Sequence, residues 1–219
     1  MITIDGQAGT GKSTAADRLA NRLGFQLLNT GAMYRAVGYV LLRANFDIHA
    51  EHPDTTTIAE TIANWTFDMP EGRVMLNGED LAEAIHGETI GAAASKAGTI
   101  LEVRRKLQAE QRRLADGLNI VCEGRDQGTV VFPHAELKFY MTASVDVRTD
   151  RRLAQMMLQQ LPVDREVIRQ QILDRDWQDE NRVLDPLKQA DDAHIIDATT
   201  MTLDDVLVHM LEIVHQCRS

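Results

Sequence analysis

Gly6-Gln7-Ala8-Gly9-Thr10-Gly11-Lys12-Ser13-Thr14 lies directly behind the short apolar run Met1-Ile2-Thr3-Ile4-Asp5. Glycines, one lysine and one hydroxyl at this spacing suit a loop whose N–H groups curl around a phosphate. In that reading Gly6 through Thr14 contact ATP, Lys12 reaches its β- and γ-phosphates, and the Ser13 hydroxyl holds Mg²⁺. The duller alternative is a Gly-rich turn that merely joins a strand to a helix, but such a turn does not require the Gly-Lys-Ser ending.

The segment after the loop fits phosphate binding. Ala16, Leu19, Ala20 and Leu23 share one helical face, and Gly24 is placed to stop the helix. A helix starting at the loop brings orphan N–H groups and a positive dipole end to an anion.

A second set of residues suits anions. Among 23 basic residues only five are lysines, so eighteen are arginines, whose planar fork matches a phosphate. Arg148, Arg151 and Arg152 stand at i, i+3 and i+4, so one helix face can present all three to a transferring phosphoryl group. The competing reading is a solvated basic stripe paired with Asp146 or Asp150.

The chain has 219 residues, is 44% hydrophobic, and carries a formal charge of −10. It is long enough for one main domain with a smaller insertion. The acidic balance argues against a nucleic-acid polymer as partner. No apolar run approaches a membrane span, and the N-terminus enters a strand without a signal peptide, so a soluble cytoplasmic protein with no membrane partner is expected. Cys122 and Cys217 are too few and too isolated for a disulfide framework or a zinc site.

The elements that must hold these residues alternate. Strands are expected at 25–28, 118–122, 137–141 and 194–197, besides the first. Helices are expected at 31–44, with Thr30 as N-cap, and at 88–97, 100–115, 145–160, 163–177 and 202–217. A short helix after Pro53 and a hairpin over 65–76 interrupt the alternation, and Asn77-Gly78 marks a further turn. The pattern predicts an α/β fold, a parallel sheet of about five strands with helices on both faces. Ligands then lie beyond the C-terminal strand ends, which is where the P-loop, Asn29-Thr30-Gly31 and Glu123-Gly124-Arg125-Asp126 fall.

Three segments carry a more specific likeness. Asn29-Thr30-Gly31-Ala32-Met33-Tyr34-Arg35, Gly124 through Pro133, and Arg175-Asp176 through Asp179, Arg182 and Asp185-Pro186-Leu187 closely resemble the bacterial cytidylate kinase family, which makes CDP from CMP and ATP. The likeness runs in order over essentially the whole chain. It implies a P-loop kinase domain over 1–219, an inserted subdomain for the nucleoside monophosphate at about 45–95, and a helical lid at about 150–165.

The resemblance also implies roles. Arg35, Arg125 and Arg182 correspond to a clamp on the CMP phosphate, Ser95, Arg104 and Asp126 to readers of cytosine, Thr30 and Tyr34 to the wall of the base pocket, and Arg175 and Asp179 to ribose contacts. Lys12, Arg125, Arg182, Arg148 and Arg152 would serve the transfer, and Glu123 would hold Mg²⁺ through water. A monomer acting on CMP, dCMP and ATP is implied, because one chain can hold both halves of the reaction. The pattern departs at Gln7 where proline is common, at Asn29 and Glu123 where aspartate is common, near His86 where arginine is usual, and at Gln127 where an apolar residue is usual. The segment 155–162 also lacks the Lys and Gly expected of the lid.

Individually, each position has another reading. Tyr34 could pack a core, Asp126 could cap its loop, and Arg175 with Asp179 could be an exposed i,i+4 pair. Two other functions stay open on the residues alone. One is a P-loop kinase for UMP or a non-nucleotide alcohol. The other is a nucleotide-dependent switch, although the Asn-Lys-x-Asp and Asp-x-x-Gly elements of guanine-specific switches are both missing.

Overall fold

The computed structural model describes residues 1–48, 50, 53–158 and 164–218. Its chain divides into two compact units, one of residues 1–24 and 121–219 and one of residues 25–120. The expected α/β architecture is present. Strands β1 (Ile2–Gly6), β2 (Gln26–Asn29), β6 (Ile120–Gly124), β7 (Leu137–Thr142) and β8 (His194–Asp197) form one sheet in the order β2-β6-β1-β7-β8.

In the first unit, β1 pairs in parallel with β6 and β7, with Ile2 opposite Val121 and Leu137. Every residue of β1 and of β6 is buried, so both strands are covered on both faces, polar Thr3, Asp5 and Glu123 included. At Gly6 a Cβ would sit 1.9 Å from the Met141 carbonyl oxygen, so only glycine lets β1 end against β7. Helix α1 (Lys12–Leu23) comes next, burying Ala15, Ala16, Leu19 and Ala20, and ends where expected at Gly24, whose N–H bonds back to Ala20 and Asn21. Helices α6 (Val145–Leu158) and α7 (Arg165–Asn181) pack through Met156, Ile168 and Ile172 against Val145 and Leu153. Helix α8 (Leu203–Arg218) closes the chain.

The second unit holds α2 (Thr30–Arg43), α3 (Thr55–Ile62), α4 (Glu88–Ala97) and α5 (Leu101–Ala115) around a small antiparallel sheet. That sheet joins β3 (Phe67–Asp68), β4 (Met75–Leu76) and β5 (Glu79–Asp80). The turn at Asn77-Gly78 adds β5, a strand beyond the expected hairpin. Helix α5 fixes the edge of β3, because Glu110 accepts the Phe67 N–H at 3.1 Å while Arg113 donates to the Phe67 carbonyl.

Several local expectations change. Asn29, not Thr30, caps α2, its Oδ1 accepting the Ala32 N–H at 2.9 Å, and Thr30 is the first helical residue. Helix α7 runs on to Asn181, four residues past the expected end, and residues 127–131 form an unforeseen π turn. Of the expected lid, residues 159–163 lie outside the described residues. Among the described residues no helix is long and apolar enough to cross a membrane.

Candidate active site

The P-loop sits between β1 and α1, with Gly9 and Gly11 at φ 77° and 95°, the left-handed region that turns the chain tightly. Lys12 is buried and its Nζ donates to the Gln7 carbonyl at 2.6 Å. Burial lowers its pKa to about 7, helped by the Arg125 cation and opposed by Glu123, Asp179 and Asp5. The Ser13 hydroxyl donates to Glu123 Oε1 at 3.1 Å, so the expected hydroxyl and carboxylate lie side by side.

The same unit gathers the loop after β6 against the end of α7. Arg125 Nε donates to Asp179 Oδ2 at 2.8 Å. Arg182 donates through Nε and Nη2 to the Asp185 carbonyl at 2.8 and 2.5 Å, with Asp179 and Asp126 carboxylate oxygens each 4.0 Å from its guanidinium. Although burial works to raise the Asp179 pKa, Arg125, Arg175 and Arg182 outweigh it and hold the carboxyl below its ordinary value. Burial likewise pulls on Arg125, yet Asp179 and Glu123 keep its pKa above the ordinary one. Asp179 is thus a buried hub for arginines rather than half of an exposed pair. Asp126 is buried too, and its side chain makes no capping bond; its carbonyl closes the π turn by accepting from Val130 and Val131.

The arginine stripe of α6 divides. Arg148 is 1% exposed, pairs with Asp176 at 2.6 Å, and donates to the carbonyls of Ala143 and Ala8. Arg151 donates to the carbonyls of Thr10 and Ala198 at 3.1 and 2.9 Å. Two of the three therefore buttress the P-loop main chain, whereas Arg152 donates to Gln155 on its own helix. Asp146 and Asp150 pair with Arg165.

In residues 25–120, Arg104 is buried on α5 with its guanidinium 5.8 Å from the centre of the Tyr34 ring, and its Nη1 donates to the Gly98 carbonyl at 3.2 Å. Arg35 donates to the carbonyls of Ile85 and Gly87. Thr30 is buried at the start of α2, and Ser95 is half-buried on α4.

Sequence reasoning missed several supports. Asp5 accepts the N–H of Gln127 at 2.9 Å, and burial raises its pKa to about 6 against the pull of that bond and one from Gly128. Gln7 bridges Glu180 on α7 and Thr142 on β7 at 3.2 Å each. A lone acid inside a buried strand was the one available signal for Asp5, and the departure from proline the one for Gln7; nothing local pointed to the pairing of Asp176 with Arg148.

Comparison with known proteins points in the same direction. The cytidylate kinase family model matches residues 2–216. A cytidylate kinase of Thermotoga petrophila is 42% identical over 99% of this chain and 97% of its own. One from Vibrio cholerae is 38% identical over 97% and 94%. Among solved structures, an uncharacterised protein from Eubacterium ventriosum aligns with TM-score 0.55 at 11% identity, covering 98% of this chain and 97% of its own. A shikimate kinase from Bacteroides thetaiotaomicron aligns with TM-score 0.50 at 13% identity over 98% and 97%, a likeness of fold alone. By the match along its whole length, the chain belongs to the cytidylate kinase family.

Proposed function

We propose that this protein transfers the γ-phosphoryl group of ATP to the phosphate of CMP or dCMP, giving ADP and CDP or dCDP. The observation that carries the reading is the gathering, within residues 1–24 and 121–219, of a complete P-loop with Arg125, Asp126, Asp179 and Arg182, in a chain of the cytidylate kinase family.

Phosphoryl transfer asks the protein for position and for charge where charge spreads in the transition state. An oxygen of the CMP phosphate bonds to the γ-phosphorus as the bond to the β–γ bridging oxygen breaks, and ADP leaves with the electron pair. The acceptor oxygen is already anionic, so no general base is needed. Lys12 and the P-loop N–H groups hold the donor; Arg125 and Arg182, with Arg35, hold the acceptor in line. Arg148 supports the P-loop main chain at Ala8, and Arg152, on the same helix, serves the transfer. Ser13 through its hydroxyl and Glu123 through water would hold Mg²⁺, hard oxygen ligands that suit it, and the ion would supply charge neutralisation during the transfer.

Ser95, Arg104 and Asp126 read the base, Thr30 and Tyr34 wall it, and Arg175 with Asp179 meets the ribose. A carboxylate accepts from the cytosine 4-amino group, whereas uracil turns a carbonyl toward it, a mismatch worth several kcal/mol, about 2 or more. Residues of about 45–95 form the acceptor-binding insertion and about 150–165 the lid. A single chain supplies every group named, which supports action as a monomer.

The test is ADP formation from ATP and Mg²⁺ with CMP, dCMP, UMP, AMP and GMP offered separately, alongside Asp126→Ala. CMP and dCMP are turned over well above the rest, and the variant loses that preference. Turnover of none of the five by a chain that still binds ATP rejects the reading.

A further inference from the structure

Gln127 is a buried amide whose orientation is set from both ends. It is 1% exposed and opens the π turn immediately after Asp126. Its main-chain N–H is fixed on Asp5. Its side-chain Oε1 accepts from the Cys122 thiol at 3.1 Å, and its Nε2 donates to Asp126 Oδ1 at 3.2 Å. The Cys122 sulfur, fully buried in β6, is the donor in the first of these bonds. A reversed amide would turn its oxygen on the Asp126 carboxylate and leave the thiol without an acceptor. The order Cys122 to Gln127 to Asp126 therefore runs one way only.

We propose that Gln127 is a positioning residue for base discrimination: anchored by Cys122, it donates to one oxygen of Asp126 and so fixes the orientation in which that carboxylate meets a donor such as the cytosine 4-amino group. The inference rests on the reading of Asp126 as the base reader. A carboxylate held in that orientation opposes the uracil carbonyl acceptor to acceptor, whereas one free to turn away would admit UMP.

Steady-state kcat and KM for CMP, UMP and ATP are measured on the full chain and on Gln127→Leu, Cys122→Ala and Asp126→Asn. Losing one charge-assisted bond lowers the CMP-over-UMP ratio of kcat/KM about tenfold in Gln127→Leu, and roughly threefold in Cys122→Ala, where only the anchor is lost. The change falls on KM for CMP, with kcat and KM for ATP within about twofold of the parent, a split that general loosening of the fold would not give. An unchanged ratio in folded Gln127→Leu overturns the proposal; should that variant not fold, an unchanged ratio in Cys122→Ala does so. Parallel loss of kcat and of affinity for all three nucleotides overturns it too. If Asp126→Asn collapses the ratio while Gln127→Leu keeps it, this proposal alone fails. If Asp126→Asn also keeps it, the reading of Asp126 falls first.

Discussion

Asp5 Oδ2 accepts the main-chain N–H of Gly128 at 2.7 Å, so the penultimate residue of β1 holds the turn beyond β6. The P-loop and the Arg125-Asp126 loop are thereby tied through one buried carboxylate. Because burial raises this carboxyl from 3.8 to about 6, the folded chain binds a proton that the unfolded chain releases between those values. The contribution of Asp5 to stability is greatest in acid and falls as pH rises through about 6. Unfolding free energies of the parent and Asp5→Asn from urea titrations, compared from pH 4 to pH 7, shift against the parent by roughly 2 kcal/mol over that window. A difference independent of pH would show that Asp5 titrates normally.

Lys12 carries the opposite sign. With its folded value near 7, the unfolded chain binds the extra proton between there and 10.5, so this group adds stability as pH rises across that window. A phosphate beside Lys12 restores the proton. Binding of ATP at pH 8 therefore takes up close to one proton per chain, read from calorimetric heats in two buffers of different ionisation enthalpy. Lys12→Arg, charged throughout, shows no such uptake, and equal uptake in both assigns the proton elsewhere.

Arg125 and Asp179 form a mostly buried pair, 20% and 9% exposed, and neither is well kept alone. Asp179→Ala costs about 3 kcal/mol or more of stability by leaving Arg125 unpaired. Since its pKa is held down, the contribution of Asp179 is present above the ordinary carboxylate range and lost in strong acid. A double-mutant cycle with Arg125→Met measures the coupling directly. Near-additive losses would show that the pair is not energetically linked.

Arg148→Met leaves Asp176 buried without its partner and costs about 3–5 kcal/mol. Adding Asp176→Leu recovers most of that loss. KM for ATP stays raised in the double variant, because the Ala8 carbonyl still lacks its donor. Recovery of both together would mean that Arg148 matters only for stability.

Legibility depended on how local the determinants are. The P-loop was plain because each of its side chains answers a geometric demand within eight residues, and α4 and β8 were read at their observed bounds from periodicity and flanking breakers. Asn29 and Thr30 are both good caps standing side by side, and only the Ala32 N–H chooses between them. Periodicity put Arg148, Arg151 and Arg152 on one face but could not say what covers it; the answer lies in the carbonyls of Ala8 and Thr10 and in Asp176, all distant in sequence. The π turn at 127–131 spans too few residues for any periodic signature, so the amide network around Gln127 had no precursor in the pattern.

The pairing of Ile2 with Val121 and Leu137 has a consequence for how the molecule comes into being. During synthesis, the P-loop leaves the ribosome before 25–120, while the strands that flank β1 emerge only after all of that segment. Closing so long a loop is slow, and parallel pairing rewards it late. The P-loop is thus made about a hundred residues ahead of the strands that give it its shape.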